Sequence, residues 1–161
     1  MTQSVFALNI ATAIKNSITT QAKANALFGK DITVLSQLDY ERFGDYELPY
    51  VHVFCMTSEK THKQEVFYPV IEVLVDRERV AGVSKESIVD TIPTEQKIID
   101  LDEFVDVMLT EMSADLTAGL VIDGVMETGF STEEIKIVRP LSDNESDLLS
   151  SIRLVIKQKL C

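Results

Sequence analysis

The sequence predicts an α+β fold: a mainly antiparallel or mixed sheet of about five strands, with an N-terminal helix and a second amphipathic helix (101–119) packed on it. Three observations predict it. Leu101, Phe104, Val105, Met108, Leu109, Met112 and Leu116 recur at three- and four-residue steps, which places one apolar stripe along a helix. Apolar runs on either side of the polar Thr57–Gln64 read as the two arms of a long hairpin. Near the end, Ile152, Leu154 and Ile156 alternate with Ser151, Arg153, Val155 and Lys157, the pattern of a half-buried strand with one wet face.

In chain order, Phe6, Ile10, Ile14 and Ile18, with Ala7, Ala11, Ala13, Ala22 and Leu27 alongside, predict a helix that stops near Gly29. Its Thr and Ser content makes it a poor isolated helix, so docking must stabilise it. Ile32–Asp39 reads as a strand, and the polar, aromatic-bearing Tyr40–Glu47 as a loop. Leu48-Pro49 opens the next strand, where a proline at the first position loses no ladder donor. Within Glu65–Asp76, Phe67, Ile71, Val73 and Val75 share one face, and Val66, Tyr68, Val70 and Leu74 the other. Pro69 in that run predicts an edge strand or a bulge.

Arg77–Ile99 shows no sustained period and is expected to be a long excursion that carries partner contacts. Asp100 followed by Glu103 fits the start of the second helix as an N-cap with a capping-box-like partner, and Gly119 can end it. Beyond Leu120–Met126 lies a turn-rich Glu127–Thr132, then a short strand, Glu134–Arg139, stopped by Pro140. The acidic Ser142–Asp147 precedes the final strand, Leu148–Leu160. At 161 residues, one domain (1–161) is expected, with the excursion at 77–99.

Composition narrows the function. The apolar share of 45% and charged share of 25% are those of an ordinary globular protein. No window approaches the roughly 18 apolar residues of a membrane span, and the opening Met1–Ile10 lacks the basic leader of a secretory signal. Two cysteines, Cys55 and Cys161, make no disulfide framework, so a reducing cytoplasm is the expected setting. A formal net charge of -11 argues against tight nucleic-acid binding, which needs a basic footprint. It does allow a polyanion to pass along an acidic wall without being held.

Glu47–Cys55 holds one of the two histidines and one of the two cysteines. His52 and Cys55 are three apart on a strand, so they point to opposite faces and cannot share a zinc ion without a bulge. A Cys–His nucleophile fails for the same reason. The expected arrangement is a core strand with Val51, Val53 and Cys55 inward and His52 on the other face. Asp100, Asp102, Glu103 and Asp106 read as carboxylates favoured at a helix N-terminus. Asp143, Glu145 and Asp147 lack the Gly and the distal Glu of an EF-hand loop. No phosphate-cradling glycine motif or nucleophile elbow occurs. No catalytic residue, cofactor or metal is therefore predicted.

The layout resembles the tail terminator (tail completion) proteins of long-tailed bacteriophages and prophages. The similarity runs through the N-terminal helix, the strand opened by Leu48-Pro49-Tyr-Val-His-Val, its partner Val70-Ile-Glu-Val-Leu-Val75, the helix from Leu101-Asp102, and the closing Ile152-Arg-Leu-Val-Ile-Lys157. It implies a non-enzymatic virion or tail component, made in the cytoplasm of a bacterial host. Subunits of such families form a ring, typically hexameric, that caps the tail tube and joins it to head or neck proteins. DNA passes through the lumen, and no membrane is involved. A closed ring needs heterologous contacts. Candidate interface residues are Arg77, Arg79, Val80, Val83 and Ile88 in the excursion, and Arg153 and Lys157 on the last strand. The alternatives are another phage morphogenesis or protein-interaction domain of α+β build, which assembly state would separate, and a small hydrolase or ligand-binding enzyme, which a deep polar pocket with perturbed carboxylates would mark.

Overall fold

A computed structural model describes residues 1–37, 49–76, 92–139 and 147–160; for 76, 92–95 and 147 it describes the backbone alone. The elements are α1 (Gln3–Asn16), α2 (Ile18–Phe28), β1 (Thr33–Ser36), β2 (Tyr50–Lys60), β3 (Gln64–Asp76), α3 (Ile92–Ala118), β4 (Leu120–Ile122), β5 (Val125–Glu127), β6 (Phe130–Val138) and β7 (Asp147–Lys159). Five strands form one sheet in the order β1-β2-β3-β7-β6, and β4-β5 is a separate two-stranded ribbon. β1 pairs parallel to β2, and the other pairings are antiparallel. The fold is α+β with a mixed sheet, as the sequence predicts.

One side of the sheet carries the core. Val51, Val53 and Cys55 of β2, Phe67, Ile71 and Val73 of β3, and Ile152, Leu154 and Ile156 of β7 are buried together beneath the helices. From α1, Phe6 stacks on Phe67 with ring centroids 4.0 Å apart and planes 12° from parallel. From α3, Leu101, Phe104, Met108, Met112 and Leu116 supply the predicted stripe, all buried. Burying each such side chain is worth about 1.5–3 kcal/mol relative to leaving it in water.

Several boundaries differ from expectation. The N-terminal helix is two helices, because Ser17 leaves helical geometry and its hydroxyl caps α2, accepting from Thr20 N at 3.2 Å. α3 starts at Ile92, so residues 92–99 are helix rather than excursion, and Pro93 sits in its first turn, where a missing N–H costs nothing. Asp100 is consequently inside the helix and no N-cap; it accepts from Gln96 Nε2 one turn earlier, at 2.9 Å. β6 begins at Phe130, four residues before the predicted Glu134. Leu120–Met126 folds as the β4–β5 ribbon around Asp123-Gly124, both at positive φ (52° and 78°), a tight turn of the kind such a pair favours.

Pro69 is not on an edge: β3 lies between β2 and β7. The bulge reading holds. Met56 and Thr57 of β2 together oppose Tyr68, since the register jumps between Cys55/Pro69 and Ser58/Phe67. The β3–β7 pairing lapses at the same level, between Phe67/Ile156 and Val70/Arg153, and β6 bulges opposite it between Thr132 and Glu134. A proline with no N–H to donate thus lies within a fault that crosses the sheet from β2 to β6. The amide of Gln3, with its oxygen toward Ser58 N and its nitrogen toward the Met56 carbonyl (both 3.2 Å), satisfies the β2 bulge from α1.

Candidate interaction surface

The residues that suggested chemistry are separated as strand geometry requires. Cys55 is fully buried on the helix-covered side, its thiol 3.5 Å from the Thr57 carbonyl, and burial pushes its pKa up, away from a reactive thiolate. His52 lies on the other side, its ring 5.1 Å from that of Phe54. No group of three or more His, Cys, Asp or Glu side chains suited to a metal ion occurs among the described residues. Nor is any described helix long and apolar enough to cross a membrane.

A hollow of about 590 Å³ opens between α1 and β1 and is lined by Leu8, Lys15, Gln21, Asp31 and Val34 among others. Two of its polar side chains, Gln21 and Asp31, are already committed to structure. Gln21 accepts from Ile32 N at 2.9 Å and donates to the Ile32 and Lys15 carbonyls at 3.2 and 3.1 Å, while Asn25 donates to Asp31. These bonds hold the turn from α2 into β1.

Unpaired charge is distributed differently. On the side of the sheet away from the helices, Lys136 of β6 stands directly across from Arg153 of β7, with Val70 of β3 next in the same row. Lys157 and Lys159 continue the basic row along β7 at alternate positions. None of these four cations has an ion-pair partner among the described residues. At the Pro69 fault, Tyr68, Pro69, Val70, Leu154 and Val155 floor an apolar hollow of about 210 Å³ whose rim carries Lys136, Arg153 and one anion, Glu134.

On the opposite side, α3 carries Asp100, Asp102, Glu103, Asp106, Glu111 and Asp115, and no basic residue from Ile98 to Ala118. The acidic group at 100–106 serves packing rather than a helix terminus: Asp102 pairs with Arg139, and Glu103 lies 3.3 Å from Lys23 of α2. Asp106, Glu111 and Asp115 have no such partner among the described residues. Asp115 sits in the last turn of the helix, where the dipole disfavours negative charge. Glu111 and Asp115 line a cleft of about 440 Å³ together with Asn16, Ile18 and Val121. Ile18, the first residue of α2, is 86% exposed.

Of the predicted interface residues, Arg153 and Lys157 share the outer sheet face; Arg77, Arg79, Val80, Val83 and Ile88 lie outside the described residues, as do Asp143 and Glu145. Sequence reasoning missed Lys136 and Ile18. Ile18 fitted the apolar spacing of a continuous helix, so its exposure appears only once the break at Ser17 is known. Lys136 could have been found, as an even-numbered position alternating with Ile135 and Ile137.

No protein-family model matches the chain, and no curated protein matches it. Among solved structures, it is similar to a chain of one described as the virion of a native gene transfer agent (GTA) particle. That similarity covers 99% of this chain and 98% of that one, at 14% identity and a TM-score of 0.45.

Proposed function

We propose that this chain is a structural virion protein of the phage-tail type, which works by binding its own copies and neighbouring assembly proteins rather than by catalysis. In the finer form of the reading it is a tail terminator: a homo-oligomeric ring, hexameric in the family it resembles, that caps the tail tube and meets head or neck proteins. The observation that carries this reading is where charges without an ion-pair partner among the described residues fall: a cluster of cations, Lys136, Arg153, Lys157 and Lys159, on the outer sheet face, where Glu72 and Glu134 also lie, and the anions Asp106, Glu111 and Asp115 on α3. Complementary patches at different places on one subunit make head-to-tail contacts, and head-to-tail contacts close into rings. The element order of the resemblance agrees with it, and the net charge of -11 suits a lumen through which DNA passes without sticking.

Residues 77–91, with Arg77, Arg79, Val80, Val83 and Ile88, form a second proposed contribution to the subunit interface. Because α3 begins at Ile92, a deletion that tests it must stop short of the helix, at Ala81–Asp90. The expected outcome is a folded chain that forms no rings; normal rings from that deletion would remove the segment from the interface. The reading as a whole is tested by native mass spectrometry over a concentration series, with negative-stain images of any large species. A discrete closed ring, alone or on added tail tubes, supports it. A strict monomer that also ignores tube ends contradicts it.

A further inference from the structure

We infer that Ile18 of one copy seats in the apolar hollow over Pro69 on the outer sheet face of a second copy, with Glu111 and Asp115 beside Ile18 meeting Lys136 and Arg153 beside the hollow. This deepens the self-association reading and rests on it, by naming the two surfaces. The shapes argue for it first. Ile18 is a β-branched aliphatic residue at the head of α2, 86% exposed among the described residues. The hollow floored by Tyr68, Pro69, Val70, Leu154 and Val155 is apolar, and at about 210 Å³ it admits one side chain of that size. It exists because the β3–β7 pairing lapses at Pro69.

Charge argues for it independently. The cleft at Ile18 bears two carboxylates, Glu111 and Asp115, with no ion-pair partner among the described residues. The hollow bears two equally unpaired cations, with Glu134 as the one opposing charge on its rim. An apolar anchor flanked by one sign of charge, entering an apolar seat flanked by the other, is the arrangement that fixes both affinity and register at an interface. The two patches lie on opposite sides of the sheet, so each copy offers a free knob and a free seat after pairing, and the contact propagates head to tail.

The test uses the full chain and sedimentation velocity over a concentration series. Ile18→Asp changes an exposed side chain and should keep the melting temperature while weakening association about tenfold or more. K136E/R153E and E111K/D115K should each do the same. Mixing those two charge-reversed proteins should restore association, because the reversed seat of one then fits the reversed knob flank of the other. Wild-type strength in I18D or K136E/R153E overturns these surfaces and leaves ring formation through other residues standing. Failure of the mixed proteins to recover, when each alone has lost association, overturns the pairing of these particular charges. A wild-type chain that stays monomeric at every concentration overturns the contact as well, while rings formed on added tail tubes by I18D would show that the tail-terminator reading survives without it.

Discussion

Lys136 and Arg153 are direct cross-strand partners on β6 and β7, two like charges side by side on the outer face of the sheet. Like charges directly opposite one another destabilise an antiparallel pair, by up to about 1 kcal/mol. Among the described residues no ion pair repays that cost, since neither residue has such a partner there. A docked carboxylate would. The single change Lys136→Glu converts the pair to opposite charges, and thermal or urea unfolding should show the monomer unchanged or stabilised by about 0.5 kcal/mol. Concentration-dependent association should fall in the same variant. A loss of stability would mean that Lys136 has a structural role within the chain.

The stack of Phe6 on Phe67 ties α1 to the centre of the sheet, with both rings fully buried. Phe67→Ala removes the ring from the middle of β3 and leaves a cavity bounded by α1, so urea unfolding should show a loss of about 3–5 kcal/mol. Phe67→Leu should cost markedly less. A small effect of the alanine variant would show that α1 can settle into the space.

Gly119 ends α3 at φ 107°, and a Cβ there would stand 2.9 Å from the Glu127 carbonyl oxygen and 2.9 Å from the Met126 sulfur. Backbone geometry and space both forbid a side chain. Gly119→Ala should therefore destabilise by about 1–3 kcal/mol and disturb the ribbon that follows. Gly124 is the control: its φ of 78° is also left-handed, but nothing lies within 4 Å of its absent Cβ. Its alanine variant should cost less in the same unfolding experiment.

How far the sequence revealed this arrangement depended on where burial writes a period. The stripe from Leu101 to Leu116 is legible because the core covers one side of α3 for four turns. Upstream, Gln96 and Ile99 are exposed and only Ile98 leans on the core, so no stripe forms and the helix reads as excursion. Pro93 was the available signal for its true start. The break at Ser17 has no Gly or Pro to announce it; a serine whose hydroxyl can cap is weak evidence until the second helix is seen turning away. Pro69 carried the right warning, a bulge, beside a wrong one, an edge. β3 tolerates the proline at the centre of the sheet because β2 bulges and the β3–β7 pairing lapses at the same level. Of the proposed interaction surface, Arg153 and Lys157 were legible from strand alternation, whereas Ile18 belongs to a contact that only tertiary structure exposes.

Glu72 offers a pH-dependent handle on the same outer sheet face. It pairs across the sheet with His52 on one side and Ser151 on the other, and partial burial raises its carboxyl above the ordinary range. A raised folded-state pKa means that the native chain holds the proton more tightly than the unfolded chain does. The resulting stabilisation is full below the ordinary carboxyl range and is lost as pH rises through the folded value. At neutral pH the residue is therefore a charge held in a partly desolvated place. Glu72→Gln should raise the melting temperature at neutral pH, and should flatten the gain in stability that the wild-type chain shows as pH falls toward the carboxyl range. Repeating the titration in a His52→Gln background separates the two neighbours. If E72Q lowers stability at neutral pH, the carboxylate is engaged by a partner that compensates its burial, and His52 is the first residue to test for that role.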